Sequence, residues 1–280
     1  MRFVLIGLEG MAGNMARRLR QQDVEVVVCD EDAARGKQLA DECGVVATTS
    51  VVAALRKLPA DAPKIVWLML SDNAAVDKAI KNLASRLSLG DIVVDGTHSN
   101  YHDSQRRGAL LSQSGAWLVD AGIIDGGRGQ AQGYCITVGG ERDHVKTVEP
   151  LLQALAADNG TGWAHVGLLG AGHFARMVHS GIESSVRQAI SEGFALLQGK
   201  TSFSFDLSTV ANTWMQGSAL GGEVLDDELA KAKSDTSASA DAQLPNYDEV
   251  RWSAIEAVEQ NVAVPVISAA LQCRTGNRNV

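Results

Sequence analysis

Residues 3–15 read Phe3-Val4-Leu5-Ile6-Gly7-Leu8-Glu9-Gly10-Met11-Ala12-Gly13-Asn14-Met15. An apolar strand pattern runs into a glycine turn and leaves as a helix. This is where a dinucleotide fingerprint G-x-G-x-x-G/A belongs. Its glycines let the backbone approach a pyrophosphate, and the helix N-terminus supplies amide donors and a favourable dipole. The frame here is Gly7-x-Glu9-x-x-Ala12, with glutamate where the middle glycine faces the pyrophosphate. The frame Gly7-x-x-Gly10-x-x-Gly13 keeps three glycines at a different spacing. A carboxylate at position 9 repels phosphate unless it turns away. Taken alone, the stretch also reads as a glycine turn without a ligand.

Further along, short apolar runs alternate with amphipathic stretches. The strand candidates are Arg2–Gly7, Glu25–Asp30, Lys64–Leu70, Asp91–Asp95, Ala116–Ala121 and Gly133–Gly139. Helical patterns fill Gly10–Gln22, Glu31–Cys43, Asn73–Leu87, Ser99–Ser114 and Arg142–Ala157. Such alternation predicts right-handed crossovers and a doubly wound, mostly parallel sheet of Rossmann type. Ile65-Val66-Trp67-Leu68-Met69-Leu70 lacks polar alternation, as befits a strand covered on both faces. The second candidate strand ends at Asp30, 23 positions after Gly7, near the spacing of about 20 expected for an acid that binds ribose hydroxyls. With Glu31 beside it, a 2′-phosphate is disfavoured, so NAD is expected over NADP. Asp30 also reads as an N-cap of the following helix, and both roles can hold.

After Trp163–Gly167 no convincing strand follows. Helical periodicity runs from His173 to about Gln198 through Phe174, Met177, Val178, Ile182, Val186, Ile190, Phe194 and Leu197. Further helices are expected at Asp206–Met215, Gly221–Lys233, Asp248–Gln260 and Val264–Cys273. Ser234–Ala242 reads as a small-polar connector. The expected division is a dinucleotide-binding domain over 1–167 and an all-helical domain over 168–280.

Composition bounds the partners. The 280 residues carry 25 Lys plus Arg against 33 Asp plus Glu, a net charge of −8. That sign disfavours nucleic acid and anionic membranes. No run reaches the roughly 18 apolar residues of a membrane span, and Phe3–Leu8 is too short for a signal-peptide core. Cys29, Cys43, Cys135 and Cys273 have no C-x-x-C spacing. Cys29 and Cys135 sit in apolar runs and are expected as buried thiols, which suits a cytosolic protein. No metal site is expected.

Gly170-Ala171-Gly172-His173-Phe174-Ala175-Arg176-Met177-Val178-His179-Ser180-Gly181-Ile182-Glu183 sets Gly172, Arg176, His179 or Ser180, and Glu183 on one helix face. On spacing alone this is a solvated face with an Arg176–Glu183 or His179–Glu183 pair, or a polar stripe facing a ligand. The stretch resembles the G-A-G-H-F-x-K-M-V-H-N-G-I-E signature of 6-phosphogluconate dehydrogenases, within the β-hydroxyacid dehydrogenase superfamily. The resemblance extends to Gly7-Leu8-x-x-Met11-x-x-Asn14-Met15, to Asp95-Gly96-x-x-Ser99-x-Tyr101-x-Asp103-Ser104-x-Arg106-Arg107, to Gly133-Tyr134-Cys135-x-x-x-Val138-Gly139-Gly140 and to Arg251-Trp252.

The resemblance implies hydride transfer from a secondary alcohol to a nicotinamide, with a lysine as base and a glutamate as later acid. Glu183 takes the glutamate position, and Arg176 takes the lysine position. Guanidinium does not deprotonate in proteins but clamps carboxylates well. The family's asparagine before Ser99 is His98, the asparagine after His179 is Ser180, and the serine before Gly126 and Gly127 is Asp125. The family's tail, which brings Arg and His to a substrate phosphate, has no counterpart before Val280. The expectation is therefore an NAD-preferring oxidoreductase for a small polar acid other than 6-phosphogluconate. Arg176, Glu183, His98 and Asp125 are its catalytic candidates. Gly126, Gly127, His179 and Ser180 would bind the substrate, and Gly7, Glu9, Met11, Ala12, Asn14, Asp30, Leu70 and Ser71 the cofactor. An imine reductase using Asp125 or His98 as acid, and a non-catalytic ligand-binding protein, are the alternatives. As in the relatives, a homodimer through the helical half is expected.

Overall fold

The computed structural model describes residues 1–157, 160–220, 222–233 and 247–276. The expected connector Ser234–Ala242 lies outside them. Eight strands form one sheet: β1 (Arg2–Ile6), β2 (Glu25–Cys29), β3 (Val46–Thr48), β4 (Ile65–Leu68), β5 (Ile92–Asp95), β6 (Trp117–Ile124), β7 (Cys135–Gly139) and β8 (Trp163–Gly167), in the order β3-β2-β1-β4-β5-β6-β7-β8. Between them run α1 (Met11–Gln21), α2 (Ala33–Cys43), α3 (Val51–Leu55), α4 (Asn73–Ala84), α5 (Tyr101–Ser112), α6 (Gly129–Gln132) and α7 (Arg142–Leu155).

The unalternated strands do cover both faces. Phe3, Leu5, Ile65 and Trp67 enter one buried cluster, whereas Val4, Ile6, Val66 and Leu68 enter the other. Successive side chains point to opposite faces, so one apolar run serves two layers of helices. Every pair is parallel except β6 with β7. Their connection holds only the four-residue α6, too short for a crossover, so the chain reverses.

Three elements escape the sequence pattern. The strand β3 has three residues and none is buried, and α3 and α6 are single turns. Cys29 is buried as expected, but Cys135 is exposed. It is the first residue of β7, at the end of the ladder, where the apolar run outlasts its cover.

The chain divides into two compact units, Met1–Arg176 and Met177–Val280. Helix α8 (Ala171–Gly199) starts in the first and continues in the second. The second unit also holds α9 (Leu207–Met215), α10 (Glu223–Lys233), α11 (Tyr247–Glu259) and α12 (Pro265–Gly276). Its core is a small cluster around Phe194, Leu207, Ala211, Leu225 and Leu229. No described helix is long and apolar enough to cross a membrane.

Candidate functional site

A cavity of about 660 Å³ opens where β1, β2 and β4 end. These neighbours flank the point at which the strand order reverses, the usual ligand position in such sheets. Gly7 is fixed there by two constraints. Its φ is +87°, and a Cβ would stand 2.3 Å from the Met69 carbonyl oxygen. Gly10, with φ 56°, precedes α1 as its cap and offers no side chain. Asp32, Asp72 and Asn100 cap α2, α4 and α5 with side-chain oxygens, whereas no side chain caps α1 and its first turn holds no acid. The Ala12 amide donates to the Glu9 carbonyl at 3.2 Å, and no side chain takes up the other first amides of α1.

Asp30 sits at the end of β2. Its Oδ2 accepts from the Leu8 amide at 2.7 Å and its Oδ1 from the Asp32 amide at 2.8 Å. A carboxylate has about four acceptor positions, so both oxygens can still take a ribose hydroxyl. The helix cap is Asp32, not Asp30. Glu9 is half-exposed, with Oε1 2.8 Å from Arg35 Nη1 and Oε2 accepting from Ser71 Oγ at 3.3 Å. Its charge is therefore engaged by a cation. Of the residues expected at the cofactor, Gly7, Glu9, Asp30, Leu70 and Ser71 line the cavity, while Met11, Ala12 and Asn14 lie on the first turn of α1 and do not. The cavity's glycine turn and ribose-side acid fit a nicotinamide dinucleotide.

The second feature lies at the start of α8. Asp120 of β6 is fully buried and accepts from the Gly170 amide at 2.6 Å and the His173 amide at 2.7 Å, fixing the helix N-terminus on the sheet. Gly122 then allows close approach, since a Cβ there would lie 2.6 Å from Arg176 Cβ. The buried Arg176 points its Nη2 at His98, 2.8 Å from Nδ1 and 3.4 Å from Nε2. His98 keeps an exposed surface. Even so, burial of the ring, then the charges of Arg176 and His173, push its pKa down to about 3. This corrects the expectation of a histidine that titrates near neutrality: here it is a neutral imidazole.

Asp125 is exposed, and its Oδ1 accepts from the Gly127 and Gly129 amides at 2.9 and 3.0 Å. It shapes the turn that carries Gly126 and Gly127. In the second unit, Ser180 donates to Glu249 at 2.6 Å, and His179 Nδ1 is 3.8 Å from Glu183. Glu183 Oε1 takes both Nε and Nη2 of Arg187 at 2.8 Å. Its closest partner is thus Arg187, with His179, one of the two partners that the spacing offered, farther away at 3.8 Å.

Residues 2–170 match the NAD binding domain of 6-phosphogluconate dehydrogenase, and residues 172–278 match the 6-phosphogluconate dehydrogenase C-terminal domain. The chain belongs to the 6-phosphogluconate dehydrogenase family. It is 32% identical over 281 residues to the NAD(+)-dependent, decarboxylating 6-phosphogluconate dehydrogenase of Haloferax volcanii, covering 99% of this chain and 91% of that protein. It is 28% identical to the NADP(+)-dependent, decarboxylating enzyme of Bacillus subtilis, covering 96% of this chain and 60% of that one. A Plasmodium falciparum 6-phosphogluconate dehydrogenase structure superposes with TM-score 0.85 at 23% identity, covering 98% of this chain and 62% of that one. This last likeness concerns the fold.

Within this family of NAD(P)-dependent dehydrogenases, the chain keeps a sheet that presents a dinucleotide cavity and sets Arg176 beside His98. The sequence reading missed Arg35, Lys78 and Asp120. Arg35 was visible only as a basic residue three positions after Asp32. Asp120 offered an acid inside an apolar strand, where a buried carboxylate always needs partners.

Proposed function

We propose that this member of the family is an NAD-preferring dehydrogenase for a small hydroxy acid, with 6-phosphogluconate not its substrate. The observation that carries this reading is the 2.8 Å contact between Arg176 and the neutral His98. Where the family signature has a lysine, this chain has a permanent cation that cannot act as base. Arg176 is instead suited to hold a carboxylate through two parallel hydrogen bonds.

A nicotinamide dinucleotide held along Gly7, Asp30, Leu70 and Ser71 would supply the acceptor for the hydride of the alcohol carbon. The hydroxyl proton must leave at the same time, and His98 is the neutral acceptor beside Arg176. As a substrate carboxylate engages the guanidinium, His98 Nδ1 loses its competing donor and part of the adjacent positive charge. Both changes raise its basicity where the proton is released. If the alcohol is β to the carboxylate, the product is a 3-oxo acid that can lose CO2. The resemblance gives the return of the proton to Glu183.

The preference for NAD rests on the acids that line the cavity, Glu9, Asp30, Glu31, Asp32 and Asp72, against the cations Arg35 and Lys78. A 2′-phosphate brings close to two further negative charges into that rim. The test is a fluorescence titration with NADH and NADPH, then a panel of 2- and 3-hydroxy acids with and without phosphate. Tighter NADH binding, and turnover of a phosphate-free acid that drops at least tenfold in Arg176→Lys, is the expected result. Preferred oxidation of 6-phosphogluconate, faster turnover in Arg176→Lys, or binding of neither nucleotide overturns the reading.

A further inference from the structure

Glu9 replaces the glycine that a dinucleotide fingerprint puts against the pyrophosphate, and the cavity reveals where its carboxylate goes. Oε1 lies 2.8 Å from Arg35 Nη1, on the first turn of α2, and Oε2 accepts from Ser71 after β4. Arg35 is also within 3.8 Å of Asp30 Oδ1 through the same nitrogen, and its Nε is 3.4 Å from Asp32 Oδ2. One guanidinium is thus shared among three carboxylates, and Glu9 makes the shortest contact. Arg35 is 42% exposed at its side chain, so it is free to swing once released.

The position of Arg35 matters because it stands beside Asp30, the acid placed to take the ribose hydroxyls. A cation there is what a 2′-phosphate on that ribose would need, since guanidinium binds phosphate with two parallel hydrogen bonds. We infer that Glu9 is a cofactor-specificity residue: by holding Arg35 it denies a 2′-phosphate its counter-ion. The inference rests on the NAD preference proposed above and extends it to a residue outside the end of β2. Neither Asp30 nor Glu31 is required to change for selectivity to relax.

The test compares NADH and NADPH dissociation constants, by nucleotide fluorescence, in the wild type, Glu9→Ala, Glu9→Gln and Glu9→Ala/Arg35→Ala. The pair is half-exposed and its strength accordingly modest, so the NADPH-to-NADH ratio should move towards NADPH by about fivefold in Glu9→Ala. Glu9→Gln, which keeps the length and loses the charge, should follow. The double variant should return towards the wild-type ratio, because the freed cation is gone. NADH affinity serves as the internal reference for an intact turn. Equal tightening towards both nucleotides in Glu9→Ala would make Glu9 a barrier to the pyrophosphate and overturn the inference. An unchanged ratio, or a shift that survives loss of Arg35, would do the same. A wild type without preference for NADH would instead sink the underlying reading, and that arm is read first.

Discussion

The two units handle buried charge and apolar surface differently. In the sheet unit, Phe3, Leu5, Trp67, Val93 and Val119 are fully buried, and a buried arginine pairs the sheet with the helices packed on it. Arg107 on α5 is 1% exposed at its side chain, bonded to Asp95 at the end of β5 at 3.1 Å and to Asp77 on α4 at 2.7 Å. In the helical unit, α8 buries Met177 and Phe194 but leaves Val178, Ile182 and Val186 exposed, four residues apart on one stripe. Val258, Val262 and Val266 are exposed as well. The sheet unit closes its own core. The helical unit has apolar surface that its described residues do not cover, unusual for a surface left in water.

The largest effect should follow from breaking the sheet unit's ion cluster. Arg107→Ala leaves the fully buried Asp95 without its cation, a loss of about 3–5 kcal/mol. Arg187→Ala is the matched change in the helical unit. Its partners Glu183 and Asp227 are 23% and 36% exposed and can rehydrate, while the buried Glu228 is held less tightly, at 3.4 Å, so a smaller loss of about 2 kcal/mol is expected. Urea unfolding followed by tryptophan fluorescence measures both. Equal losses would erase the contrast between the units.

The stripe gives the expected homodimer a place to be broken. A charge at the centre of a covered apolar face costs association about 2–4 kcal/mol. Ile182→Asp with Val186→Asp should therefore reduce a dimer to the 29.6 kDa chain in light scattering, with the sheet unit still binding NADH. A wild type already at that mass, or a variant that stays paired, removes the stripe as the contact between copies.

The same contrast explains what could be read from sequence. The sheet was legible because Ile65–Leu68 and Phe3–Ile6 have no polar residue to spare for solvent, and because Gly7 and Asp30 hold a fixed spacing. The strand β3 was not, since three residues with no buried side chain leave no periodic signal. Arg176 and His98 were each singled out, but their contact joins residues 78 apart through Asp120, which anchors α8. Only the folded sheet shows that the pair silences the histidine. Arg35 meets Glu9 from another element, 26 positions away, so the turn motif alone suggested a repulsive carboxylate where the structure has a paired one.

The smallest expected effect belongs to His98 and marks the sheet unit alone. Its pKa is about 3 in the folded chain and 6.5 ordinarily. Between these values the unfolded chain binds a proton that the folded chain refuses. Stability is therefore complete above pH 6.5 and falls as the pH drops towards 3. The carboxylates held low by partners, such as Asp77 beside Arg107 and Arg106, begin to act only as pH approaches the ordinary carboxylate range. In the window from about pH 6.5 to 4.5 the depressed His98 imidazole therefore contributes. The exposed surface of His98 screens the interaction, so a loss of about 1 kcal/mol across that window is expected, well under the limit for a fully buried ring. His98→Asn should flatten this limb of the urea-unfolding profile while leaving stability at pH 8 nearly unchanged. Arg176→Met should shrink it too, because the second cause of the depression is gone. A wild-type profile already flat from pH 6.5 to 4.5 would show that His98 titrates normally, and the depression of its basicity by burial and by Arg176 would fall.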